Sequence, residues 1–281
     1  MSDTKVSDTR VLLAIDGDSL AHRAYHGLPK SVRLNAIVGF ANFLTRLWDG
    51  EQPAAVLVGW DTLEEETYRH EALPAYQSGR EFEDSIVEQL DLLPDFVNSF
   101  GFASAKRAGY EADDFLAAAA AKWDGPVVVA TSDRDAFQLA SDRVTILQPV
   151  RGVSELARIG PAEVFERYDV KPEQVTDFIA LRGDSSDRIP GARGVGPKTA
   201  AGILRQYGTL EATLAAGRFA AEADDLRLYR RIATMDAKAP LPKLAPHVPT
   251  WAKAAQAAAE LGLGGLAGRL ETRAAQSGAH Q

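Results

Sequence analysis

The chain has no cysteine, two methionines and only five histidines in 281 residues. Without cysteine there is no disulfide framework, no thiolate zinc site and no cysteine nucleophile. The histidines, at 22, 26, 70, 247 and 280, share no ligand spacing, so surface or capping roles suit them better than metal ligation. No apolar run approaches the roughly 18 residues that a membrane span needs. The polar start, Met1 to Arg10, lacks a signal-peptide core, which makes a cytoplasmic protein the default expectation. A Ser-His-Asp arrangement, a P-loop and a dinucleotide fingerprint are also missing. Basic residues are in deficit, 31 against 39 acidic, for a net charge of −8. Taken as an average, that balance argues against a phosphate-rich partner. Its distribution does not: residues 1–180 hold 17 basic and 30 acidic residues, whereas 181–281 hold 14 and 9. An acidic front and a basic back are two different surfaces.

Short apolar runs at Val11–Ile15, Ala54–Trp60, Pro126–Ala130 and Val144–Leu147 predict buried strands. Between them, apolar residues recur at helical spacing over 34–48, near 86–100 and over 111–123. Alternating strands and helices predict an α/β fold built on a parallel sheet. From about 161 the pattern becomes helical, at 161–168, 172–182, 197–206, 209–215, 224–235 and 251–261. The expected division is 1–160 for the α/β core and 161–281 for a helical region. The tail from about 264, which begins Gly264-Gly265, is expected to be loosely ordered.

Three of the strands run into aspartate: Asp16, Asp61, and Asp133 with Asp135. Ligands of an open parallel sheet sit beyond the carboxyl ends of its strands. Any one such aspartate is most simply a turn former or helix N-cap; three strand ends delivering four carboxylates to one edge are harder to explain so. Glu111-Ala-Asp113-Asp114 opens a helix that precedes the third strand, which places its first turn at the same edge. Arg182-Gly-Asp184-Ser-Ser-Asp187 adds two more acids in a Gly/Ser loop. Converging carboxylates raise each other's pKa unless cations neutralise them. Oxygen ligands without His or Cys suit Mg²⁺ or Mn²⁺. Two such ions about 4 Å apart are a standard arrangement for in-line phosphodiester hydrolysis.

Ile189-Pro-Gly191-Ala-Arg193-Gly194-Val-Gly196-Pro197-Lys198-Thr199-Ala200 reads as helix, glycine hairpin, helix over 189–206. Pro197 suits a first helical position. Free N–H groups at that helix start, beside Arg193 and Lys198, make an anion site. Gripping a DNA backbone through such a hairpin carries no base readout. Arg193, Gly194, Gly196, Lys198 and Thr199 are therefore the candidate DNA-binding residues.

Together these segments resemble the 5′ nuclease family: flap endonucleases and the 5′-3′ exonuclease domain of bacterial DNA polymerase I. The matching stretches are Val11–Gly17, Arg69-His-Glu, Tyr76 to Arg80, Gly109–Asp114, Thr131–Asp135, Ala180–Asp187 and the hairpin Gly191–Ala200. The resemblance covers about residues 11–260. It implies a PIN-like parallel-sheet nuclease core with a helix-hairpin-helix C-terminal region, and a stand-alone bacterial enzyme. It implies two-metal hydrolysis of 5′-flap, nicked or branched DNA in replication and repair. It assigns Asp16, Asp61, Glu111, Asp113 and Asp133 to a first metal site, and Asp114, Asp135, Asp184 and Asp187 to a second. Arg23 matches a position near the scissile strand; Tyr76 and Arg80 match a gateway helix within an arch at about 64–100. The hairpin would bind duplex and, as in some members, a K⁺ ion. A monomer working beside a polymerase or ligase, close to the nucleoid, is the implied setting.

Two features depart from the pattern. Members carry Tyr-Lys-x-x-Arg on the gateway, where the Lys clamps the scissile phosphate; here the sequence is Tyr76-Gln77-Ser78-Gly79-Arg80. Neutral Gln77 cannot act as that clamp, so either Arg80 or Arg69 replaces it or the enzyme is slower. Residues 64–100 also hold ten acids against only Arg69 and Arg80, an unfavourable wall for a threaded strand. The alternatives are a DNA-junction-binding protein with weak or lost catalysis, and a small-molecule phosphatase on a similar sheet. Eroded acids would mark the first, and the second would have no use for the hairpin.

Overall fold

A computed structural model describes residues 10–62, 65–79, 81–151 and 155–278. Among these residues six strands form one sheet: β1 (Leu12–Asp16), β2 (Ala55–Trp60), β3 (Ala103–Lys106), β4 (Val127–Ala130), β5 (Val144–Arg151) and β6 (Glu155–Ile159). Their order is β3-β2-β1-β4-β5-β6. All neighbours are parallel except β5 and β6, which pair antiparallel. Every residue of β1, β2 and β4 is buried. Strands covered on both faces need apolar side chains throughout, which is why these three read as unbroken apolar runs. β3 and β6 are edge strands with half-exposed or polar residues, and the sequence pattern had not marked them.

Among the described residues twelve α-helices surround the sheet: α1 (Gly17–Gly27), α2 (Asn35–Glu51), α3 (Tyr68–Ala72), α4 (Asp84–Ser99), α5 (Ala112–Lys122), α6 (Pro161–Tyr168), α7 (Val175–Arg182), α8 (Pro197–Tyr207), α9 (Leu210–Ala215), α10 (Ala223–Ala233), α11 (Trp251–Glu260) and α12 (Gly264–Gly278). On one face the core joins β1 and β4 residues with Phe115, Phe178, Ile203 and Ile232 of α5, α7, α8 and α10. The opposite core joins Leu13, Val58 and Trp60 with Phe40, Leu93, Trp251 and Leu270 of α2, α4, α11 and α12. The helical region is thus in two parts, one on each face.

The end of the chain corrects the expectation of a loose tail. α12 buries Leu266, Ala267 and Leu270, and Arg273 forms an ion pair with Asp49 of α2. Thr250 Oγ1 donates to the Ser99 carbonyl at 2.8 Å, tying the start of α11 to the end of α4. Over 64–100, the helix α4 is a core element and not an arch. Ile86, Leu90, Leu93, Phe96 and Val97 are buried, while Glu88, Asp91 and Asp95 point to solvent. Three of the ten acids in the stretch are therefore the wet face of an amphipathic helix. Glu64 and Arg80 lie outside the described residues.

Candidate active site

The strand order reverses between β1 and β4, and crevices at such switch points are where α/β sheets bind ligands. Asp16 ends β1 here, and Asp133 follows β4 two residues beyond Thr131. A basin of about 390 Å³ opens at this point, lined by Asp16, Asp18, Asp61, Glu111, Asp113, Asp133, Asp135 and Asp187. Local structure sets each carboxylate. Asp16 caps α1, accepting from Ser19 N at 3.0 Å and from Thr131 Oγ1 at 2.7 Å. Asp61 accepts from Ala112 N at 2.7 Å, which fastens the end of β2 to the start of α5. Asp133 accepts from Asp135 N at 2.8 Å. Trp60 is buried beneath the basin, packed on Phe40 with Nε1 donating to Ser104 Oγ at 2.8 Å.

The loop bearing Asp184 and Asp187 depends on two glycines placed back to back. Gly183 and Gly191 have φ of 78° and 75°. A Cβ on Gly191 would lie 2.3 Å from Gly183 N, so no other residue fits there. Asp184 accepts from Ser186 N and Arg182 Nη2, each at 2.9 Å. It faces a neighbouring groove instead of the basin.

Arg69, proposed from sequence as a substitute clamp, has a different role. It is 1% exposed, and both its terminal nitrogens are taken by Asp114, at 2.8 and 2.9 Å. Its Nε donates to the Ile232 carbonyl at 3.0 Å, and Asp113 and Glu111 lie 3.4 and 3.5 Å from the guanidinium. Arg69 therefore braces the acids at the basin's lining, with its guanidinium committed to them. Asp114, grouped with the metal acids, is fully buried and also accepts from the backbone N–H of Glu111 and Asp236. Its oxygens are committed to that brace and do not line the basin. Tyr76 is likewise buried at the basin's lining; its hydroxyl donates to Glu111 Oε2 at 3.1 Å. Arg23 lies outside the basin lining and donates to the Val150 carbonyl at 2.8 Å. Gln77 spends its amide nitrogen on the Tyr76 hydroxyl, at 2.8 Å, and on Asp187 Oδ1, at 3.2 Å.

Burial and mutual repulsion leave these acids short of positive charge. Burial, then Asp61, pushes Asp16 up to about 7 despite its two hydrogen bonds. Burial does the same to Glu111, to about 7, against the pull of Arg69. Asp18, Asp113 and Asp135 are also pushed well above the usual carboxylate range, first by burial and then by neighbouring acids. For Asp113, Arg69 opposes the shift. At Asp184 burial is outweighed by Ser186 and Arg182, which hold it below the ordinary value. An all-oxygen donor set crowded to this degree fits a hard divalent cation. Among the described residues no three acids already close around one point. An ion here would keep water in its shell, as Mg²⁺ and Mn²⁺ do more readily than a caged structural ion.

Sequence reasoning missed Asp18, His22 and Phe82 at this site. Asp18 accepts from Asp61 N at 2.7 Å, a bond between separate strand ends that no local pattern signals. His22 and Phe82 line the mouth with ring centroids 4.9 Å apart. Beyond a wall formed by Ser132, Asp133, Asp135, Ser186 and Asp187 lies a second groove of about 1000 Å³. Arg134, Arg167, Arg182, Lys198 and Arg205 line it. Lys198 and Thr199 start α8 behind Gly196, with Arg193 and Gly194 exposed in the loop before it.

Residues 11–169 match the family model for the 5′-3′ exonuclease N-terminal resolvase-like domain, and 170–250 match that for its C-terminal SAM fold. The chain belongs to the 5′-3′ exonuclease family. DNA polymerase I of Mycobacterium tuberculosis is 40% identical over 210 residues, 71% of this chain and 23% of that protein. The thermostable DNA polymerase I of Thermus aquaticus is 36% identical over 250 residues, 83% and 29% respectively. This 5′-3′ exonuclease family chain thus spans about a quarter of the length of the curated relatives it matches. The solved structure of T5 5′-exonuclease with bound divalent metal ions (zinc) shares its fold. It has a TM-score of 0.68 at 19% identity, covering 95% of this chain and 99% of that one.

Proposed function

We propose that the chain is a structure-specific 5′ nuclease, a flap endonuclease and 5′-3′ exonuclease that hydrolyses DNA phosphodiesters in replication and repair. One observation carries this reading: a carboxylate basin at the sheet's switch point shares a wall with a groove that holds five cations beside six acids, Lys198 of α8 among the cations. DNA phosphates suit the groove, and the scissile bond suits the basin. Asp16, Asp61, Glu111, Asp113 and Asp133, with Asp135 and Asp187, would hold Mg²⁺ or Mn²⁺. The ions would supply positive charge at the scissile phosphate and lower the pKa of the attacking water. Arg69 and Asp114 keep the acids of α5 in place, and Tyr76 orients Glu111 by donating to it. Gln77 joins the gateway segment to Asp187. Arg193, Lys198 and the first turn of α8 would take duplex phosphates without reading bases. A K⁺ ion at that hairpin would show as potassium-dependent duplex binding. A monomeric enzyme near the nucleoid, recruited beside a polymerase or ligase, completes the proposal.

The test is cleavage of a labelled 5′-flap duplex with Mg²⁺ or Mn²⁺, beside Asp133→Ala. The expected result is metal-dependent cutting by wild type and at least a ~100-fold loss in the variant. If wild type binds the flap but leaves it intact with both metals, the junction-binding alternative replaces the nuclease.

A further inference from the structure

Of the cations matched from sequence to the gateway and the scissile strand, Arg80 lies outside the described residues, and Arg69 and Arg23 are already engaged. Arg69 lines the basin but is buried with its guanidinium held by Asp114, Arg23 is turned to Val150, and Gln77 is neutral with its amide already engaged. Two other features meet at the same rim. Gln77 N donates to the Asp187 carbonyl at 3.2 Å, so the 76–79 turn lies against the 187–188 turn. Residues 77 and 188 are both non-glycine positions in the left-handed region, with φ of 48° and 56°. Such a conformation is disfavoured for a side-chain-bearing residue. Between them, Gly79 leaves a gap that Arg188 fills: a Cβ at Gly79 would lie 2.9 Å from Arg188 Nη2. The guanidinium therefore runs across the gateway turn. Arg188 is exposed, and among the described residues it has no hydrogen bond or ion pair. Its neighbour Asp187 lines the basin.

We propose that Arg188 is a phosphate-contacting cation of the basin mouth, doing from the 187–188 turn what a lysine at position 77 would do from the gateway. Its guanidinium takes a non-bridging phosphate oxygen of the DNA strand that enters between the two turns. Arginine suits this place because its planar fork offers paired donors to a phosphate. The left-handed backbone carries the side chain over Gly79 and toward the strand. The inference deepens the nuclease reading and rests on it.

The test compares wild type with Arg188→Gly, Arg188→Gln and Arg188→Lys, each with and without Gln77→Lys, on a 5′-flap duplex. Arg188→Gly suits the left-handed backbone, so it removes the cation without unfolding the turn. The expected result is a single-turnover rate at least tenfold lower for Gly and Gln, and within about threefold of wild type for Lys. The slope of log binding constant against log salt falls by about one for Gly and Gln and is unchanged for Lys. Gln77→Lys then raises the Arg188→Gln rate several-fold more than it raises the wild-type rate, because both cations serve one phosphate. Gly and Gln variants within twofold of wild type, with an unchanged salt slope, overturn the proposal. So does a rate loss that Lys does not rescue. An inactive wild type defeats the nuclease reading instead, and the salt slopes of binding still decide Arg188.

Discussion

Replacing Arg69 with methionine tests whether the acids of α5 are held by one buried cation. The guanidinium is 1% exposed and its main partner, Asp114, is fully buried, so solvent screens little of the interaction. Removing one partner of a buried ion pair leaves an unpaired buried charge and costs about 3–5 kcal/mol. Methionine keeps much of the volume, which confines the loss to charge and hydrogen bonds. At about 2–4 °C per kcal/mol or slightly less for a chain this long, melting should drop by roughly 5–12 °C. The loss should also depend on pH. Without Arg69, the acids around it become harder to ionise in the folded state and take up protons that the unfolded chain has released. Raising pH then destabilises the variant relative to wild type, so the difference is larger at pH 8 than at pH 5. Thermal unfolding followed by circular dichroism in chelator at both pH values measures this. The double change Arg69→Met with Asp114→Leu should recover most of the loss, because no buried charge is left unpaired. A drop under ~2 °C for the single variant, or an equal drop at both pH values, would refute the brace.

Asp16 and Glu111 sit near 7 in the metal-free fold, above their unfolded values near 4. Their raised pKa values make the folded form lose stability as pH rises from about 4 to 7. Mg²⁺ should restore more stability at pH 8 than at pH 5, and calorimetry in buffers of different ionisation enthalpy should show proton release on binding. Constant stabilisation across that range, without proton release, would contradict the assignment. Gly191→Ala forces a Cβ to 2.3 Å from Gly183 N at a φ of 75°. It should cost at least ~2 kcal/mol in denaturant unfolding and weaken Mg²⁺ binding through the Asp184–Asp187 loop. Deleting residues 264–281 uncovers the apolar face held by Leu266 and Leu270. At about 1.5–3 kcal/mol for each large side chain, the loss should exceed ~3 kcal/mol, and proteolysis of the intact chain should spare α12.

The sequence disclosed most clearly what depends on unbroken burial. β1, β2 and β4 are covered on both faces and end in acids, so both the strands and the switch-point cluster could be read directly. β3 and β6 were invisible because an edge strand need not be apolar. α12 was hidden by its opening glycines, although it packs on α11 and its apolar residues join the core of that sheet face. The acidic run in 64–100 lost part of its strangeness once α4 proved to be a core helix with acids on its outer side. The roles of charged residues were the least legible. Asp113 and Asp114 are adjacent, yet one lines the basin and the other grips Arg69, a division set by which way each faces on α5. Arg69 and Tyr76 looked like substrate contacts and are buried supports. Asp18 was passed over because its partner, Asp61 N, is 43 residues away.

The central claim is that the acids of the switch-point basin form a nuclease centre and that Asp114 stands apart from it as a support. Single-turnover cleavage of a 5′-flap duplex at saturating Mg²⁺ measures this with Asp16→Asn, Asp133→Asn and Asp114→Asn side by side. The wild-type chain should release the flap in a metal-dependent way, with 5′-phosphate ends on the product. The first two variants should lose at least ~100-fold in rate with folding intact, and Asp114→Asn should show a loss tracking reduced stability. Full activity in Asp16→Asn or Asp133→Asn, or no cleavage by the wild-type chain, would contradict that claim.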